Sequence, residues 1–165
     1  MKCNLIALFV VSVLLFSCSK DENKTDEVTP ENAIVGSWRA TEFKAADPNS
    51  SNVNLGAEIL ANLTAEQCYI ITFTFNSDMT LIGESGVNYL QINATPTGLE
   101  VPCPTQKDTE SSTYTYDGTT LTTVDTDGVT VMVKVSIDGD TMSADATDLD
   151  IPNFDAAGEI IFEKF

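Results

Sequence analysis

The chain has no histidine, and its 165 residues include only eight Lys and Arg against 25 Asp and Glu. Without histidine there can be no histidine-based catalytic triad, no histidine-ligated zinc site and no imidazole general base. The formal net charge of −17 repels phosphate backbones, so nucleic acid is excluded as a partner. The longest apolar run, over residues 5–16, is shorter than the roughly 20 residues that a membrane-spanning helix needs.

Motifs that would indicate catalysis or metal binding are also missing. Asp125-x-Asp127-Gly has some likeness to a calcium loop, but a calcium loop needs its glycine at position six and a glutamate at position twelve. Asp145, Asp148 and Asp150 could form a carboxylate pair, yet acidic residues are abundant enough to cluster by chance. We therefore predict a protein that is not an enzyme and has no metal and no cofactor.

The first 17 residues are typical of a secretory signal peptide, with a basic Lys2 followed by the apolar run. The letters LFSC, which end at Cys18, resemble the lipobox of bacterial lipoproteins, with an aliphatic residue three positions before the cysteine and a small residue directly before it. This resemblance implies that Cys18 carries acyl chains that anchor the protein to a membrane. The alternative is an ordinary secretory peptide with an incidental cysteine.

The charged residues behind the cysteine favour display on the cell surface. Residues 19–22, SKDE, resemble the surface-export signal of Bacteroidetes-type lipoproteins, which implies a lipid-anchored protein on the outer membrane. A hydrophilic spacer would explain the same residues. The whole stretch 18–33 is charged and poor in apolar residues, so we expect a flexible acidic tether. Nothing in the sequence indicates an oligomeric state.

Two cysteines, Cys68 and Cys103, lie outside the signal and the anchor. In an oxidising, exported compartment an even pair favours a disulfide, with two free thiols as the alternative. Because no Cys-x-x-Cys motif is present, redox catalysis is not expected.

From residue 34 onwards, apolar and polar residues alternate in short segments separated by Asp-Gly and Asn-Ser-Asp turns, which is typical of antiparallel strands. Eight strands are predicted: 34–43, 69–76, 79–84, 111–117, 119–125, 129–137, 140–146 and 158–165. Two sets of side chains are predicted to face inward: Tyr69, Ile71, Phe73 and Phe75, and Val129, Val131, Val133, Val135 and Ile137. Tight turns between consecutive strands predict an up-and-down arrangement that can close into a barrel. One short helix is predicted over 55–63, while 87–92 can be either an extra strand or a loop.

Several of these segments resemble the lipocalin-like domains of bacterial lipoproteins. They are Gly36-Ser37-Trp38 at the start of the first strand and the hairpins FTFNSDMTLIGES, YTYDGTTLTT and VSIDGDTMSAD. The resemblance implies one all-β domain over 34–165, an antiparallel up-and-down eight-stranded lipocalin-like barrel. In that family the glycine and the tryptophan form the barrel floor, and a late arginine stacks on the tryptophan. Here Arg39 is the only arginine, and the last strand offers only Lys164.

The expected function is a surface-anchored lipoprotein that binds a small apolar or amphipathic ligand, or another envelope component, inside the barrel. The candidate ligand-lining residues are Trp38, Phe73, Phe75, Val131, Val133 and Phe162. These side chains could instead simply fill the core. The alternative function is a non-catalytic surface interaction module. It would bind a glycan or a protein through the long connections 44–68 and 85–110, with Tyr89 and Phe154 as exposed loop aromatics.

Overall fold

The computed structural model describes residues 33–47, 51–96, 98–149 and 157–165. It contains one α-helix, α1 (Ser51–Ala65), and a 3-10 helix (Val87–Tyr89). The strands are β1 (Gly36–Ala45), β2 (Ile71–Phe75), β3 (Thr80–Ser85), β4 (Asn93–Thr95), β5 (Gly98–Glu100), β6 (Asp108–Tyr116), β7 (Thr120–Val124), β8 (Thr130–Asp138), β9 (Thr141–Asp145) and β10 (Gly158–Lys164).

Eight of the strands form a closed antiparallel barrel in the order β1-β2-β3-β6-β7-β8-β9-β10, and β10 returns to pair with β1. Trp38 of β1 marks the closure, because it lies opposite Lys164 of β10 on one side and Phe73 of β2 on the other. The predicted eight-stranded barrel with one helix is therefore confirmed. Because the barrel is closed, each of the eight strands pairs with a neighbouring strand on both sides.

The inward faces follow the predicted alternation in β8, where Val133 and Val135 are buried and Lys134 between them is exposed. The prediction is wrong for Val129, which is 57% exposed. This residue precedes β8, and its backbone N–H donates to Asp125 Oδ1 at 2.8 Å. The turn that connects β7 to β8 therefore holds Val129 outside the alternating pattern.

Tyr69 also departs from its predicted inward position. β2 begins only at Ile71, and both Ile70 and Ile71 are buried, so the alternation is interrupted just before the strand. The Tyr69 ring lies 4.2 Å from the guanidinium carbon of Arg39, whose side chain points outward between the inward-facing Trp38 and Ala40. Tyr69 is therefore part of the outer wall.

Helix α1 is longer than the predicted 55–63. Its C-terminal half packs on the barrel core through three buried side chains, Ile59, Leu60 and Leu63. The hydroxyl of Thr64 donates to the carbonyl of Thr41 at 3.1 Å, beside the part of β1 that β2 does not cover. Leu55, predicted to share the buried face, is 37% exposed, because only the later turns of the helix reach the core.

The two ends of the barrel differ in how the strands are connected. At one end lie the start of β1, the end of β10 and the short hairpin turns β2–β3, β6–β7 and β8–β9. We call this the closed end. The other, open end carries all the longer connections: 46–70, 86–107, 125–129 and 146–157.

Residues 86–107 form an excursion from the barrel, defined here as the chain between β3 and β6. Residues 87–92 contain the 3-10 helix and no strand, which decides the question that the sequence left open. The short hairpin β4–β5 pairs only with itself. The predicted disulfide between Cys68 and Cys103 is present, with 5.9 Å between the two Cα atoms, and it ties the excursion to the chain that leads into β2.

Candidate functional site

Trp38 seals the closed end of the barrel. Its side chain is fully buried, and its indole Nε1–H donates to the carbonyl of Ile34 at 2.7 Å. Gly36, the other predicted floor residue, has a φ of +133°, a conformation that L side chains rarely adopt. It lets the chain pass under the barrel directly beside Lys164.

Lys164 lies over Trp38, in the place of the arginine that the resemblance to lipocalin-like domains implied. Its Nζ is 5.1 Å from the centroid of the Trp38 ring, within the range of a cation–π contact. The only arginine, Arg39, instead stacks on Tyr69 at the outer wall. A lysine therefore supplies the positive charge over the floor tryptophan.

Aromatic side chains fill the interior above this floor. The ring centroids of Phe73 and Phe162 are 5.4 Å apart, and those of Phe75 and Tyr114 are 5.0 Å apart in an edge-to-face arrangement. Offset and edge-to-face contacts at these distances are favourable. The Tyr114 hydroxyl also donates to the carbonyl of Asn76 at 2.9 Å, so its polar atom is satisfied.

The six candidate ligand-lining residues fall into two groups. Four of them are at most 2% exposed: Trp38, Phe75, Val133 and Phe162. Since a side chain that borders a water-sized void retains accessible surface, these four border no such void. The other two, Phe73 and Val131, are only partly buried. Of these two, Val131 lies at the open end, in the second position of β8, whereas Phe73 lies beside the floor, opposite Trp38.

The open end gives Val131 polar neighbours. The alternation that places Tyr114 inside the barrel also places Ser112 inside, and Thr123 lies opposite Val131 across the β7–β8 ladder. Both Ser112 and Thr123 are partly exposed. The mouth of the barrel, defined here by Ser112, Thr123 and Val131, thus combines apolar and hydroxyl-bearing side chains above a packed floor.

Exposed apolar side chains are concentrated around this mouth. Among the described residues, ten large apolar side chains are exposed, and six of them lie on elements at the open end. They are Leu55, Tyr89, Ile92, Leu99, Val124 and Val129. We call these six side chains the rim, and they add exposed apolar surface at the open end.

The excursion is held in place by a second set of contacts besides the disulfide. The backbone N–H of Gly86 donates to the carbonyl of Ile70 at 2.7 Å. Asp108 accepts hydrogen bonds from the Tyr89 hydroxyl and from Asn88 Nδ2, both at 2.7 Å. These two bonds, the Tyr89 bond first, lower the pKa of Asp108, and the same carboxylate raises the pKa of Tyr89.

Two of the aspartates that could suggest chemistry, Asp125 and Asp145, have structural roles in turns. Asp125 accepts backbone hydrogen bonds within its own turn, and Asp145 accepts from the backbone and the hydroxyl of Thr147. In the part of the chain that the structure describes, no three His, Cys, Asp or Glu side chains are grouped so that they could hold a metal ion.

Residues 1–32, which include the predicted signal segment and Cys18, lie outside the described residues, and so do Asp150 and Phe154. Tyr89, the other predicted loop aromatic, is 37% exposed. No helix within the described ranges is long and apolar enough to cross a membrane.

The comparisons with known proteins agree with this architecture. Residues 34–144 match the family described as lipocalin-like domain, and this stretch covers about two thirds of the chain, from the floor motif to β9. No curated protein sequence matches the chain. Because the match spans most of the barrel strands, the chain belongs to the lipocalin-like domain family.

Proposed function

We propose that this protein is a non-catalytic, lipid-anchored binding protein of the outer membrane, exposed at the cell surface, that takes a small amphipathic molecule into the mouth of its barrel. A lipocalin-like barrel suggests ligand binding in general. The observation that carries the finer proposal is the contrast within the interior. The side chains at the floor are fully buried, whereas the inward-facing side chains at the mouth are partly exposed.

The chemistry of the mouth supports an amphipathic ligand. Val131 offers apolar surface, and the hydroxyls of Ser112 and Thr123 offer hydrogen bonds that could orient a polar group. Apolar side chains on the rim, such as Ile92 and Leu99, would extend the contact with an aliphatic chain. An amphipathic component of the cell envelope has this combination of groups.

The anchoring part of the proposal rests on the sequence alone. It is supported by the lipobox-like letters that end at Cys18 and by the charged residues 19–22 directly behind them. A domain tethered in this way would meet ligands at the membrane surface, where amphipathic molecules are concentrated.

The test compares two adjacent threonines of β7 that face opposite sides of the barrel wall. Thr123 lies opposite Val131 at the mouth, and Thr122 lies opposite Met132, which is 65% exposed on the outer surface. We expect wild-type protein to bind the apolar fluorophore 1-N-phenylnaphthylamine saturably. Thr123→Phe should abolish this binding by filling the mouth, and Thr122→Phe should retain it.

Native mass spectrometry of protein purified from its own cells should show a co-purifying small molecule that Thr123→Phe protein lacks. If the fluorophore does not bind saturably and no molecule co-purifies, the barrel carries no ligand. Equal binding by the two variants, at similar melting temperatures, would place the ligand elsewhere.

A further inference from the structure

A depression of about 440 Å³ lies at the base of the excursion, outside the barrel mouth. Its two walls are residues 88–91 and residues 102–106. This volume falls in the range of about 300–1,000 Å³ that is typical of small-molecule sites.

The walls of the depression are fixed before any ligand arrives. Cys103 belongs to one wall and is bonded to Cys68 at the edge of the barrel. Pro104 packs closely on Gly86, where a Cβ would come within 3.0 Å of the proline Cγ. The backbone N–H of Gly86 donates to the carbonyl of Ile70, so the chain just before residues 88–91 is held on the barrel as well. A preformed site loses less conformational entropy when it binds a ligand.

The lining is uncharged, in a protein with 25 acidic residues. It presents the side-chain amides of Asn88, Gln91 and Gln106 and the rings of Tyr89 and Pro102. Amides both donate and accept hydrogen bonds, and the aromatic and proline rings offer flat apolar faces.

Asp108, the carboxylate beside the depression, is already engaged. One of its oxygens accepts from Tyr89 and the other from Asn88. These bonds hold the Tyr89 ring and the Asn88 amide in place, and they leave the Asn88 Oδ1 as an additional hydrogen-bond acceptor. The carboxylate thus positions two lining side chains.

We propose that this depression is a binding site for a neutral saccharide. A cation would need carboxylates in the lining and an anion would need Lys or Arg, and none of these residues line it. A purely apolar ligand would leave the three amides without partners. A sugar ring carries hydroxyls that match the amides and C–H faces that match the tyrosine and proline rings. The site lies outside the barrel, so this proposal and ligand binding in the mouth can fail separately.

The test is an array of neutral and anionic oligosaccharides probed with the full-length protein in a detergent without a sugar head group. We expect binding to neutral oligosaccharides. Tyr89→Ala should weaken it at least tenfold by removing the stacking face, and Gln91→Ala and Gln106→Ala should each weaken it roughly fivefold to tenfold, as expected for the loss of one ligand hydrogen bond. Tyr89→Phe should retain most of the affinity, because the ring remains.

Phe165→Ala is the matched control, because Phe165 is an aromatic residue that is 64% exposed at the closed end. It should bind like wild type, and so should Thr123→Phe, whose blocked mouth is a different site. Binding of no neutral saccharide, equal binding by Tyr89→Ala protein, or capture of a peptide without any saccharide would each overturn the proposal.

Discussion

At the scale of single residues, the barrel floor depends on one glycine and one lysine. A Cβ at Gly36 would lie 2.5 Å from Lys164 Cε, the side chain that stacks on Trp38. Lys164 could move aside, but only by giving up its position over the indole ring. The backbone conformation of Gly36, with its positive φ, is unfavourable for any other residue as well.

We therefore expect Gly36→Ala to reduce the free energy of unfolding by about 2–3 kcal/mol, from backbone strain together with loss of the cation–π contact. For a domain of this size the melting temperature should fall by roughly 5–10 °C. Gly98→Ala is the control for strain alone, because Gly98 has a φ of +136°, close to that of Gly36, but no atom within 4 Å of an added Cβ. Equal losses in the two variants, measured by thermal unfolding, would contradict the proposed collision with Lys164.

The hydrogen bonds that Asp117 accepts predict how the stability of the folded protein depends on pH. The backbone N–H groups of Thr120 and Thr119 donate to its Oδ1 at 2.7 and 2.9 Å and hold the pKa of this carboxyl below its usual 3.8. A lowered pKa in the folded state means that the ionised group stabilises the fold at neutral pH. This stabilisation is lost as the pH falls below 3.8 through the folded-state pKa.

Wild-type protein should therefore be more stable than Asp117→Asn protein above about pH 5, and the difference should shrink towards pH 3. Urea unfolding of both proteins at pH 7 and pH 3 measures this difference. A difference of the same size at both pH values would show that the charge of Asp117 has no part in holding the turn.

At the scale of elements, the excursion is attached to the barrel by the disulfide at one point and by hydrogen bonds around it. Its hairpin β4–β5 has no strand partner beyond itself, and a two-stranded hairpin alone is marginally stable in water. The saccharide site proposed at its base therefore depends on the bond between Cys68 and Cys103.

Cys103→Ser should lower the free energy of unfolding by about 3–4 kcal/mol, because the disulfide closes a long loop in the unfolded chain. The melting temperature should fall by roughly 10 °C, and residues 95–110 should become sensitive to protease while the barrel stays folded. The double variant Cys68→Ser/Cys103→Ser should behave like the single one. If thiol reagents label two cysteines in denatured, unreduced wild-type protein, the disulfide does not form in solution.

At the scale of the whole molecule, the barrel has a sealed end and an end that carries every long connection. The floor contributes packing, with Trp38 and Phe162 fully buried, and the open end presents the exposed apolar side chains. An N-terminal tether would join the barrel at the closed end, because β1 begins there. The proposed tether therefore leaves the mouth and the excursion on the opposite side, accessible to ligands.

Cys18→Ser should abolish lipid attachment, because a serine hydroxyl does not replace the thiol that is alkylated. Radiolabelled palmitate should then fail to enter the protein, and the precursor should retain residues 1–17. Cys3→Ser, which changes a cysteine inside the signal segment, should be labelled and processed like wild type. A Cys18→Ser protein that is still cleaved and bound to the membrane would show that the anchor assignment is wrong.

The sequence by itself determined the eight strands and their antiparallel order, since strand alternation and Asp-Gly turns are local signals that depend on neighbouring residues. It also identified the cysteine pair and the glycine and tryptophan of the floor. Its errors lie at element ends. A turn hydrogen bond holds Val129 before β8, and Tyr69 precedes the start of β2.

Only the tertiary structure decided where space remains for a ligand. Phe73 and Phe75 have the same residue type and face the same way, yet one is partly exposed and the other is buried. The difference arises because the ring of Tyr114, distant in sequence, packs edge-to-face on Phe75, whereas the partner of Phe73 on β3 is Gly83, which has no side chain. Free volume depends on all the side chains that surround a point, and no local pattern records them. The stacking of Lys164 on Trp38 and the uncharged depression beside Cys103 emerged for the same reason.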